Sequence, residues 1–115
     1  MELTFSSEFE YIPYFNKNRD SDNPIEVICR YMTTPERVKY IDVELLTTGS
    51  EVQTKTVFKN EGILRVSILR IENLKVNGVE IKTARELLSI EGLSQLSDEI
   101  ASYIATSNLK PNLKN

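Results

Sequence analysis

An α+β fold, with strands leading and helices following, is what the sequence predicts, and three observations carry it. Residues 2–12 alternate with a period of two: Leu3, Phe5, Phe9 and Tyr11 share one parity, while Glu2, Thr4, Ser6, Glu8 and Glu10 share the other. Near the C-terminus the spacing changes to that of a helix, with Leu96, Ile100, Tyr103 and Ile104 on one stripe and Gln95, Asp98, Glu99 and Ser102 on the other. Between them, Asn77-Gly78 sits among apolar residues, the dipeptide that most favours a tight hairpin turn. The architecture expected is an N-terminal antiparallel β-hairpin, a middle helix, and a helical C-terminal half broken by a small Asn-Gly turn.

Taken in order, the first strand should end before Pro13, which cannot extend a ladder. Residues 13–24 are rich in Asn, Asp, Ser and Pro and form a long loop, of a length that is often either functional or disordered. Residues 25–32 alternate again, with Ile25, Val27, Cys29 and Tyr31 inward, and return antiparallel to the first strand. Thr33-Thr34-Pro35-Glu36 has the spacing of a capping box with proline in the first turn. It opens a helix expected over 34–46, with Val38, Ile41 and Leu45 inward and Gly49 available for its left-handed end. Residues 51–58 alternate weakly as a third strand. Residues 59–74 leave two readings: a buried strand, favoured by their β-branched content, or a helix with Asn60 as cap. Lys75-Val76 and Val79-Glu80-Ile81 are the arms of the Asn-Gly hairpin. Thr83 and Glu86 repeat the capping-box spacing and start a short helix through Leu88 and Ile90, closed by Gly92. A final helix runs over 94–107. One domain is expected over 1–108, followed by a patternless tail at 109–115. The core expected is Leu3, Phe5, Phe9, Tyr11, Ile25, Val27, Cys29, Val38, Ile41 and Leu45, joined by Ile68, Ile71, Leu87, Leu88, Leu96, Ile100 and Ile104.

Composition narrows the function. The 115 residues are 40% hydrophobic and 27% charged, the balance of an ordinary globular chain that can bury a core without staples. The net charge of -3 argues against a phosphate-backbone ligand. No run is long and apolar enough to span a membrane, and Met1-Glu2-Leu3-Thr4-Phe5 has no feature of a signal peptide. There is no histidine, so the commonest general base and metal ligand are missing. With a single cysteine as well, Cys/His zinc sites and internal disulfides are excluded. Cys29 reads as a small packed hydrophobe in a reducing compartment. The four glycines never cluster, so no phosphate-cradling loop exists. Of the carboxylate pairs, Asp20 with Asp22 lacks calcium-loop spacing, and Glu8 with Glu10 forms a wet strand face that discourages edge pairing. The expectation is therefore no catalysis, no metal and no cofactor.

A binding role is the reading that remains. Tyr11-Ile12-Pro13-Tyr14-Phe15 gathers three aromatics and a proline where strand meets loop. Such side chains either anchor an interface or fold back over the sheet edge. The candidate partner-binding residues are Tyr14, Phe15, Asn16, Asn18 and Arg19 in the loop, and Leu109 and Leu113 in the tail.

The second half, Ile68-Leu69-Arg70-Ile71-Glu72-Asn73-Leu74, Val76-Asn77-Gly78, then Ile81-Lys82-Thr83-Ala84-Arg85-Glu86-Leu87-Leu88 and a closing Lys114-Asn115, resembles small proteins encoded among phage tail genes, tail assembly chaperone-like and other tail-associated proteins. The resemblance covers about residues 60–115. It implies a helix for the ambiguous 59–74 stretch and a virion or tail-assembly role in the host cytoplasm or the particle. It also implies contacts to tail tube or tape-measure proteins and no catalytic residue. Self-association stays open, and the alternative is a small inhibitor from a mobile element that blocks a host protein.

Overall fold

Val27, Ile28 and Cys29, three successive residues of the second strand, are all buried, which requires that strand to be covered on both faces. In the computed structural model, which describes residues 1–4 and 7–108, it is the centre of a three-stranded antiparallel sheet. β1 (Glu8–Tyr11) pairs with β2 (Glu26–Arg30), setting Phe9 opposite Cys29 and Tyr11 opposite Val27. β5 (Ile68–Glu72) flanks β2 on its other side, with Ile71 opposite Val27 and a register shift at Ile28/Cys29. Cys29 is fully buried in this strand, and burial pushes its thiol up to about 12, so the thiolate is suppressed.

The first strand is shorter than its alternation suggests. Leu3 is exposed, and Phe5 lies outside the described residues. The cause is the partner: β2 stops at Arg30, opposite Glu8, and the chain then turns into the capped helix α1 (Thr34–Tyr40). The described ladder therefore ends at the Glu8–Arg30 pair.

At the start of α1 the capping box is complete. Thr33 Oγ1 accepts from the Glu36 backbone N–H, and Glu36 Oε1 accepts from that of Thr33. Glu36 also takes a bidentate pair from Arg30, at 2.9 and 2.8 Å. The Arg30 guanidinium, followed by the Thr33 backbone bond, holds the Glu36 carboxyl at about 2, below its ordinary 4.5. A carboxyl depressed on folding stabilises above its unfolded pKa and loses that contribution as the pH falls through its folded value. Stability should therefore decline between about pH 4.5 and pH 2 by about 1 kcal/mol from this group, because both side chains keep solvent contact. Acid titrations of urea midpoints should show the decline in the parent chain and a flatter profile in Glu36→Gln.

The expected helix over 34–46 ends at Tyr40. Residues Ile41–Thr48 form β3 instead, paired residue for residue with β4 (Glu51–Phe58). Ile41 and Leu45 are compatible with a helical stripe, but Ile41, Val43, Leu45 and Thr47 also alternate, and eight cross-strand pairs outweigh one turn of helix. Val38 and Leu45, placed in the core by the helical reading, are each 71% exposed. Gly49 serves the hairpin rather than a helix end.

Residues 59–74 divide between the two readings. α2 (Asn60–Ser67) buries Ile63, Leu64 and Ser67, and β5 follows at once. The C-terminal half is thus interrupted by a strand of the main sheet. Gly62 lies under the Tyr40 ring, where a β-carbon has no room. After β5 come the hairpin of β6 (Lys75–Val76) and β7 (Val79–Glu80), then α3 (Ala84–Leu88) and α4 (Ser94–Ser107). Asn77 and Gly78 both have positive φ, as a type I′ turn demands. α3 stops at a Ser89 cap, before Gly92, which sits in a 3-10 turn at Glu91–Leu93.

The core lies where α2 and α4 meet the sheet, with Ile63, Leu64, Leu87, Leu96, Ile100 and Ile104 fully buried. Phe9, Ile25, Ile41, Ile68 and Leu88 pack around it half-buried. The end of α4 is tied down by Asn108, which accepts from the Met32 N–H at 2.7 Å and, through its carbonyl, from Arg37. The tail from Leu109, including Leu113, lies outside the described residues.

Candidate functional site

Two features stand at the surface: the 13–23 loop and the β3–β4 hairpin. The loop spends most of its polar groups on itself. Asn18 is buried, its amide donating to the carbonyls of Pro13 and Ile25 while its oxygen accepts from the Ile25 N–H at 2.6 Å. From α4, Glu99 accepts from the Tyr11 hydroxyl at 2.6 Å and from the N–H groups of Tyr14 and Phe15. Burial, reinforced by the Glu99 bond, raises the Tyr11 phenol well above its usual range. Arg19 donates to the Ile12 carbonyl and lays its guanidinium 3.6 Å over the Tyr14 ring. Asn16 and Lys17 adopt left-handed backbone inside this 3-10 segment, Phe15–Asp20.

Of the loop residues singled out from sequence, Tyr14, Asn16 and Arg19 face solvent. Phe15 is half-buried against the core, and the Asn18 side chain points inward. The structure brings Tyr14 and Arg19 together as one exposed stack. Behind it, Tyr103 stacks on Tyr11 at 4.0 Å and lies 6.1 Å from Phe9.

The hairpin is of another kind. Every side chain from Val43 to Thr56 is exposed. The radius of gyration, 16.3 Å, exceeds the roughly 13 Å of a compact chain this long, and the hairpin is an arm that adds to that extension. Eight paired residues per strand give it a reach of about 27 Å. Gly49, at φ +62°, occupies the first central position of a two-residue turn with Ser50, the Gly-X arrangement of type II′. At the root, the Lys59 N–H donates to the Tyr40 carbonyl, and Ile41 and Phe58 pack on the core.

The register divides the arm into two unlike faces. Ile41, Val43, Leu45 and Thr47 stand opposite Phe58, Thr56, Thr54 and Val52, a face without a charge. All the arm's charges, Asp42, Glu44, Glu51 and Lys55, lie on the other face. The uncharged face begins at the core and continues outward into solvent, with Val43 and Val52 each 65% exposed. A two-stranded ribbon is marginal by itself in water, and an apolar face of this kind is the mark of a contact surface. The sequence reading has the 51–58 strand but not its partner, and so missed the arm, although the signals were present: alternation from Ile41 and a Gly-Ser pair between two eight-residue runs.

Among the described residues there is no grouping of three His, Cys, Asp or Glu side chains able to hold a metal, and no helix is long and apolar enough to cross a membrane. The class of protein that fold and surface define is an α+β domain bearing a projecting β-hairpin. The chain matches no protein family, no curated protein and no solved structure.

Proposed function

We propose that this protein acts by protein–protein contact, as a structural or assembly component without catalysis, and that the β3–β4 arm is its principal contact element. The observation that supports this most is the uncharged face of the arm, rooted in the core and left open along Val43, Leu45 and Val52. Such a face is a surface a partner can cover by strand addition or by packing. The sequence resemblance makes the partner a tail tube or tape-measure protein and the setting a phage particle or its host's cytoplasm. The exposed Tyr14–Arg19 stack is a second, smaller contact.

The test is a double substitution, Val43→Thr with Leu45→Thr, in the full chain. Both side chains are exposed and both replacements keep strand propensity, so the urea midpoint should hold. Capture of co-expressed tail proteins should fall at least about tenfold, an effect of two contact residues at an interface. Undiminished capture by the folded variant would remove the arm from the function.

A further inference from the structure

The two edges of the arm differ in a way that selects a partner. Both are open among the described residues, where the β3–β4 pair forms a two-stranded sheet. In a two-residue hairpin the residues flanking the turn, Thr48 and Glu51, exchange backbone hydrogen bonds. The N–H and C=O groups of Glu51, Gln53 and Lys55 therefore point to β3, and those of Val52, Thr54 and Thr56 point out from the free edge. That edge has no register shift and no proline; its protection against strand pairing is charge, Glu51 and Lys55, which a strand of complementary charge can satisfy.

We propose that a second copy of this chain pairs along the β4 edge, antiparallel and about a two-fold axis at Gln53. The proposal rests on the reading of the arm as a contact element and names the occupant of one of its edges. Antiparallel neighbours share a face, so like parities must meet. With Gln53 on the axis, Val52 meets Thr54 of the second copy through the outward backbone groups. Glu51 then meets Lys55 of the second copy, and the symmetry makes that contact twice. These two fall on the pairs that exchange no backbone bonds, where side chains come closest.

Neighbouring registers lose this. An axis at Thr54 sets Glu51 against Val57, and an axis at Lys55 sets two lysines face to face. An axis at Val52 leaves Glu51 opposite Gln53. β3 offers no counterpart, because its charges, Asp42 and Glu44, are both acidic and could only repel their own copies. Within one chain, Glu51 and Lys55 make no ion pair among the described residues, although Lys55 faces Glu44 across the hairpin. The product is a four-stranded sheet, β3-β4-β4-β3, with both uncharged faces on the same side.

The experiment is sedimentation equilibrium on the full chain over a range of concentrations, with circular dichroism to verify the fold. The parent should show a monomer–dimer equilibrium. Glu51→Lys and Lys55→Glu, each alone, turn two attractive contacts repulsive and should weaken self-association by about tenfold. An equimolar mixture of the two variants restores both contacts, because the two lysines of the first variant then face the two glutamates of the second. The mixture should recover a dimer containing one of each. A parent that stays monomeric throughout would overturn the proposal. So would a dimer indifferent to both reversals, which would place the contact on another surface such as the uncharged face, or a mixture that fails to recover. None of these outcomes touches the Val43→Thr, Leu45→Thr capture assay, so the contact role of the arm stands or falls separately.

Discussion

Ile100→Ala should lower the unfolding free energy by about 4 kcal/mol, the largest effect expected of any single substitution considered for this chain. Ile100 is fully buried in the middle of α4, the helix that packs against α2 and spans the core. Truncation removes three buried carbons and leaves a cavity walled by side chains that helices on both sides hold in place. A chain of 115 residues has little stability in reserve, so a loss of this size should leave the variant only marginally folded at 37 °C. Urea unfolding followed by circular dichroism checks it: the midpoint should fall with an unchanged slope. A loss below about 1 kcal/mol would mean that the site collapses around the smaller side chain and that α4 is not the centre of the core.

Glu99→Ala is the second large effect, about 2–3 kcal/mol, and it acts through hydrogen bonds rather than packing. One carboxylate accepts from the Tyr11 hydroxyl and from two successive backbone N–H groups, Tyr14 and Phe15, at distances of 2.6 to 3.0 Å. It is the clasp between α4 and the start of the 13–23 loop. Alanine leaves the Tyr11 hydroxyl and the Phe15 N–H, both partly buried, without their acceptor, which costs more than the bonds are worth in water. The Tyr11 phenol should at the same time titrate lower, since the Glu99 bond and charge are among the causes that raise it. Ultraviolet titration of the tyrosines reads this directly. Unchanged stability together with an unchanged Tyr11 titration would contradict the clasp.

What could be read in the sequence followed from local chemistry. The capping box at Thr33, the Asn77-Gly78 turn and the helix over 94–107 depend on residues within a few positions of one another, and all of them form; at Thr83 only the side-chain cap forms, because Glu86 reaches back to the Lys82 N–H instead of that of Thr83. The errors came where two periodicities fit the same residues. Ile41 and Leu45 satisfy a helical stripe as well as a strand, and what decided between them was β4, a partner ten residues away with no strong pattern of its own. The helix reading also assumed that apolar residues go inside, and on the arm they do not. Ile68 and Ile71 likewise became a strand only because β2 had an open edge beside them. In the loop, Tyr14 and Arg19 are as exposed as their composition suggests. Asn18 could not have been distinguished from its neighbours, because its burial depends on carbonyls of Pro13 and Ile25 that the fold brings to it.

Hydrogen exchange on the full chain, alone and in complex with the protein it captures, tests the central claim most directly. Residues 43–56 have exposed side chains, and the outward amides of β3, at Val43, Leu45 and Thr47, have no partner among the described residues, so these should exchange quickly in the absence of the captured protein. If the arm is the contact element, slowing on complex formation should concentrate in 43–56, with the core helices unchanged. Slowing confined to the Tyr14–Arg19 loop, with the arm exchanging as fast as before, would contradict it.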